Sequence, residues 1–174
     1  MLKYPPSKAI MKYREFPEGV PCEVIYDQIV TTAWPHTRHQ QISMKLSSLL
    51  YFLLEETKKG IVLRKPCDVY LEEQRSVVQP DIFVILDENK QIIYEDAIYG
   101  VPDIIFEILC GNRAYDRIEK KGLYEQAGVK EYFIIDPLDN TVTMFTLNSQ
   151  HKYELVYELK GKITSAILAT SFDL

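Results

Sequence analysis

Two short apolar runs, each containing a Pro-Asp pair, constrain this chain more than any other feature: VVQPDIFVIL at 77–86 and VPDIIFEIL at 101–109. After each Pro-Asp pair the chain stays apolar instead of alternating with polar residues. Runs of this kind are strands buried on both faces, and such strands need a layer of structure on each side. An α/β protein is expected, with a mixed β-sheet flanked by helices.

The rest of the chain supplies those layers. RHQQISMKLSSLLYFLLEETKKG at 38–60 places Ile42, Leu46, Leu49, Leu50, Leu53 and Leu54 at helical spacing, and Gly60 after a Lys pair reads as the stop. A second amphipathic helix runs over 113–127 and ends at Gly128. CEVIYDQIVTTAW at 22–34 reads as an N-terminal hairpin, and IVLRKPCDVYLEE at 61–73 as a strand whose Pro66 marks an edge or a bulge. EYFIIDP gives a further strand, and TVTMFTL and KYELVYEL form an antiparallel pair joined by NSQH. Segment 1–20, rich in Pro, Lys and Tyr, reads as a loosely structured N-terminal arm, and 21–174 as one domain.

Composition sets the setting. Three cysteines, no two closer than 43 positions, make neither a disulfide framework nor a CxxC metal knot, which fits a reducing compartment. The N-terminus lacks the apolar core of a signal peptide, and no apolar run approaches the roughly 20 residues of a membrane span, so a cytoplasmic protein without membrane partners is expected. The net charge of −5 counts against broad phosphate binding.

The anomaly is acid inside apolar strands. Glu107 follows Ile104, Ile105 and Phe106 and precedes Ile108 and Leu109. An ionised carboxylate is costly to bury unless a metal, a cation or an opening to solvent compensates. Asp81 opens the other run, and two neighbouring strands could bring both acids to one end of a sheet. Such a pair suits Mg²⁺, which takes a few carboxylates and keeps several waters. Next in the chain come Arg113, Arg117, Lys120 and Lys121, spaced to share one helical face. Cations beside a carboxylate pair suit a phosphate substrate. Plainer readings stand beside these. Asp81 could cap a turn, Asp103 in the second Pro-Asp pair reads as structural, and Lys120 alone would be a solvated lysine. His36 and His39 read as surface or capping residues, Cys110 as buried packing, and Tyr124 and Tyr132 as residues packing a helix on the sheet.

Taken in order, VVQPDIFVIL, VPDIIFEILC and YDRIEKKGLYEQAGVKEYFIIDP resemble the Uma-type restriction-endonuclease family of the PD-(D/E)XK nuclease superfamily. The resemblance spans roughly 20–160 and includes the Asp116-x-x-x-Lys120-x-x-x-Tyr124 spacing and the Gly128-Val129-x-Glu131-Tyr132 segment. It implies a restriction-endonuclease-like fold and Mg²⁺-dependent endonuclease action on DNA, with Mn²⁺ as a substitute. It also implies Asp81 and Glu107 as metal ligands, Lys120 as the displaced lysine of the motif and Glu23 as an upstream acid completing the catalytic set. Cys110-Gly111 stands where the family often has Ser-Pro, which alters the loop beside the site. The competing expectation is a catalytically weak or inactive nuclease-fold domain serving binding or assembly. A homodimer is the default assembly.

Overall fold

The computed structural model describes residues 4–17, 19–111 and 116–174. Its elements run α1 (Lys8–Tyr13), β1 (Cys22–Ile25), β2 (Gln28–Thr31), α2 (Thr37–Thr57), β3 (Gly60–Arg64), β4 (Val69–Leu71), β5 (Ser76–Val78), β6 (Ile82–Leu86), β7 (Ile98–Tyr99) and β8 (Ile104–Ile108). A π-helical turn (Asp116–Lys120) leads into α3 (Lys121–Ala127), followed by β9 (Glu131–Ile135), β10 (Thr141–Leu147), β11 (Tyr153–Lys160), β12 (Lys162–Ser165) and β13 (Thr170–Asp173).

Six strands form the central mixed sheet in the order β11-β10-β9-β8-β6-β3, and five form a smaller one in the order β2-β1-β5-β4-β7. The two Pro-Asp runs supply the adjacent strands β6 and β8 at the heart of the larger sheet, and every residue of both is buried. Alternation then divides the core. Ile82, Val84, Phe106 and Ile108 pack with Ile42, Leu46, Leu50 and Leu54 of α2. Phe83, Ile85 and Ile105 pack the opposite way, with Val69, Leu71 and Val78 of the smaller sheet and Leu123 and Tyr124 of α3. Each fully buried aliphatic contributes about 1.5–3 kcal/mol by leaving water. No helix among the described residues is long and apolar enough to cross a membrane.

Several local readings need correction. The segment 1–20 contains α1, capped by the Ser7 hydroxyl and packed through Ile10 and Tyr13 against Cys22 and Val24. A helix of six residues gives too short a periodic signal to stand out among prolines. The left-handed stop of α2 is Lys58 at φ 54°, not Gly60. Gly60 instead begins β3, where a Cβ would lie 2.4 Å from the Ile85 carbonyl oxygen. The run 61–73 is two strands in two sheets: β3 pairs with β6, β4 with β5, and the chain changes sheets around Pro66. The helix expected from 113 is described only from Asp116, and its first described turn is π-helical.

Candidate active site

The β6–β8 register pairs Ile82 with Phe106, so one further step sets Asp81 opposite Glu107. Asp81, one residue before β6, reaches His39 of α2, whereas strand alternation turns Glu107 away from the α2 face that Phe106 and Ile108 share, toward the smaller sheet and α3. There Glu107 Oε1 accepts hydrogen bonds from Lys120 Nζ at 3.0 Å and from the Tyr124 hydroxyl at 2.7 Å. Lys120 Nζ also donates to Glu23 Oε1 at 3.1 Å. Glu23 comes from β1, so hairpin, central strand and helix meet at one ammonium group. All three charged side chains are buried, Lys120 at 4 % exposure and Glu107 at 3 %. Glu23 Oε1 additionally accepts from the Gln79 amide at 2.8 Å, while its Oε2 is buried with no hydrogen-bond partner. Burial, then the charges of Glu107 and Glu23, push the Tyr124 phenol well above its ordinary value, so it remains a donor.

Asp81 is held differently. Its Oδ2 accepts from the Ile108 amide at 2.8 Å and from His39 Nε2 at 3.0 Å. Burial alone would raise its pKa, but the His39 hydrogen bond and charge, the Lys120 charge and the Ile108 amide outweigh it and hold the carboxyl below its ordinary value. Asp81 is therefore an anion, His39 Nε2 carries the proton between them, and His39 Nδ1 is left buried without a partner. Both donors take Oδ2, which leaves Oδ1 as the oxygen available to a cation or a water.

Asp81, Glu107, Ile108, His39 and Lys120 line one cavity of about 90 Å³, together with residues 30–33, Pro35, Lys65 and Cys110. That volume has room for a few waters. Among the described residues no group of three or more His, Cys, Asp or Glu side chains is placed to hold a metal ion. The two hard carboxylates that line the small cavity instead fit a cation that keeps most of its waters, as Mg²⁺ does.

The structure thus brings Glu23, Glu107 and Lys120 into direct contact and sets Asp81 in the cavity that Glu107 and Lys120 line. The three described cations, Arg117, Lys120 and Lys121, do not form one stripe. The π-helical turn changes the angular step, so Lys120 points inward, Lys121 lies over the Phe145 ring at 4.6 Å, and Arg117 stands 3.8 Å from Asp136. Arg113 lies outside the described residues. His36 is exposed at the start of α2, whereas His39 is buried and belongs to the site. The helical period already held that signal: His39 falls one turn before Ile42 and Ser43 on the buried face of α2. Tyr124 does pack under the sheet, but its hydroxyl bonds a site acid, which packing alone would not reveal. Cys110 is half-buried at the cavity wall, its thiol donating to the Trp34 carbonyl at 3.2 Å. Asp103 is structural: it accepts from the Leu86 amide at 2.8 Å and pairs with Lys130 at 2.7 Å, at the opposite end of β8 from Glu107.

The family described as "Uma2: Putative restriction endonuclease" matches residues 10–170. The chain belongs to the Uma2 family. Within reach of this Uma2 chain is the uncharacterized protein sll1609 of Synechocystis sp. (strain ATCC 27184 / PCC 6803 / Kazusa), 25 % identical over 142 residues that cover 80 % of this chain and 79 % of that one. A crystal structure described as a putative nuclease belonging to DUF820, from Anabaena variabilis ATCC 29413, superposes with a TM-score of 0.72. It is 19 % identical, and the match covers 91 % of this chain and 89 % of that one. At that identity the likeness shows a shared fold: a mixed α/β, restriction-endonuclease-like architecture.

Proposed function

We propose that this Uma2 protein is a metal-dependent endonuclease that hydrolyses phosphodiester bonds in DNA. The observation that carries this reading is the buried Lys120 ammonium shared by Glu23 and Glu107 at the wall of the cavity that Asp81 also lines. Asp81 and Glu107 would hold Mg²⁺, with Mn²⁺ as a substitute; when bound it supplies a Lewis acid for a phosphate oxygen and a water of lowered pKa.

The chain's own groups do the rest. His39 and the Ile108 amide fix Asp81 in its ionised form. Tyr124 fixes the rotamer of Glu107. Glu23, enclosed behind Lys120, is a positioning residue: it keeps the ammonium in place when Glu107 turns to other partners. Lys120 then neutralises charge on the phosphate or orients the attacking water, a role that helps only where donors are preorganised and water is scarce.

The test is cleavage of plasmid and single-stranded DNA by the purified chain with Mg²⁺ or Mn²⁺. Cutting by the wild type that is lost in Asp81→Asn and Glu107→Gln is expected; absence of cutting on every substrate, or equal cutting by the variants, defeats the reading. One observation favours a non-catalytic binding domain instead, namely that Lys120 is already satisfied by two carboxylates. Calorimetry separates the two, since a binding domain of that kind takes up no Mg²⁺ that Asp81→Asn removes.

A further inference from the structure

The chain has a single tryptophan, and it is not in the core: Trp34 is 68 % exposed. It sits between Ala33 and Pro35, both of which line the candidate active-site cavity, so the loop that carries the indole borders the site. Its backbone is anchored. The Trp34 carbonyl accepts the Cys110 thiol at 3.2 Å. Ala33 lies against Gly111, where even a methyl group would come within 2.5 Å of the Ala33 Cβ. The strand end that carries Glu107 therefore fixes the loop that carries Trp34. A large, rigid, exposed ring has no folding rationale, since it forgoes the burial that usually places aromatics inside.

We propose that Trp34 is a base-stacking platform on the loop bordering the site and that the substrate class is nucleic acid with unpaired bases, such as single strands, flaps or gaps, rather than continuous duplex. The inference rests on the nuclease reading above and adds the substrate to it. Two observations and a stereochemical argument converge. The acids that line the cavity are buried, so a phosphodiester has to leave the regular path of a duplex backbone to reach them. A paired base within a duplex has both faces covered by its neighbours, and only an unpaired base offers a free face to an indole. The net charge of −5 leaves little counterion-release affinity for the dense phosphates of duplex DNA. Stacking is uncharged and contributes about 1–3 kcal/mol per base. Lys65 also lines the cavity and supplies a cation on that side for a phosphate.

The lone tryptophan makes the test direct. The full chain is titrated in EDTA, where no metal-dependent cleavage occurs, with a thymidylate oligonucleotide and with a relaxed, covalently closed circular duplex that offers no ends. Expected are saturable quenching of Trp34 emission by the single strand, affinity for it at least tenfold above that for the duplex per site, and a shallow salt dependence. Trp34→Ala, checked for an unchanged circular dichroism spectrum, loses about tenfold in single-strand affinity measured by anisotropy of a labelled oligonucleotide, and Trp34→Phe keeps most of it. Equal binding of both nucleic acids, or single-strand binding indifferent to Trp34→Ala, overturns the proposal even if the protein cuts DNA. Conversely, Trp34-dependent single-strand binding without cleavage at any metal concentration upholds stacking and defeats the nuclease reading alone.

Discussion

Two neighbouring strands of the central sheet each bury a glutamate, and the two are treated in opposite ways. Glu131 opens β9 and pairs in register with Ile104 of β8, three residues before Glu107. Its carboxylate receives the Ser165 hydroxyl at 2.6 Å and the Ala166 and Ile167 amides at 2.9 and 3.0 Å. These donors are neutral and are held by the β12–β13 connection, so Glu131 staples that hairpin onto the sheet. Glu107 is met by a lysine and a phenol, shares its lysine with Glu23, and borders a cavity. Burial of an acid in a strand is therefore not in itself a sign of chemistry. Fixed neutral donors make a carboxylate a structural pin; a shared cation beside open volume leaves it free to exchange partners.

The sharpest way to break this contrast is to neutralise each glutamate in turn. Glu107→Gln should lower DNA cleavage by about a hundredfold to a thousandfold, the range seen when one preorganised charged or polar group is lost from an active site. Glu131→Gln should leave cleavage within about twofold under conditions where the protein is folded, because additivity holds for groups without shared partners. Cleavage that falls equally in both variants would mean that the two acids serve one structural purpose.

Stability should separate the regions next. Lys120→Met strands Glu23 and Glu107 as buried like charges, and removing one partner of a buried ion pair costs about 3–5 kcal/mol. Urea denaturation followed by circular dichroism measures the loss, and adding Glu23→Gln to Lys120→Met should recover part of it. A cost below about 1 kcal/mol is the value of a solvated pair and would show that water reaches the ammonium freely. Glu131→Gln keeps one acceptor oxygen but turns an amide toward groups that are themselves donors, for an expected loss of about 1–3 kcal/mol.

How far the sequence discloses all this depends on what each residue answers to. The strands β6 and β8 and the helix α2 are legible because hydrophobic periodicity is a local property of the chain. Glu107 is conspicuous because it interrupts five large apolar residues. Glu131 starts its strand and looks like an ordinary polar boundary, so nothing in EYFIIDP discloses a pin for residues 165–167. Glu23 and Lys120 lie 97 positions apart; only resemblance to a family suggests their meeting. His39 was open to inspection through its place on the buried face of α2, yet its partner Asp81 comes from another layer. The inward turn of Lys120 follows from a π-helical insertion that no residue pattern announces. Local order is written in local sequence; the site is assembled from β1, α2, β6, β8 and the turn before α3, and its geometry appears only when those are packed.

The smallest expected effect concerns acid. Asp81 is held below its ordinary value of 3.8 by His39, Lys120 and the Ile108 amide against the opposing effect of burial. A group whose folded pKa is depressed stabilises the fold above its unfolded pKa, and that contribution fades as pH falls through the folded value. The window therefore lies below about pH 4, and stability from Asp81 is fully present at neutral pH. Urea midpoints of wild type and Asp81→Asn between neutral pH and the acid limit should show a steeper acid loss in the wild type, so that the difference between the two curves narrows below about pH 4. A constant difference through that range would mean that Asp81 is not the ionised partner of His39, and the cavity would then lack the anionic oxygen that distinguishes it from the neutral-donor pocket around Glu131.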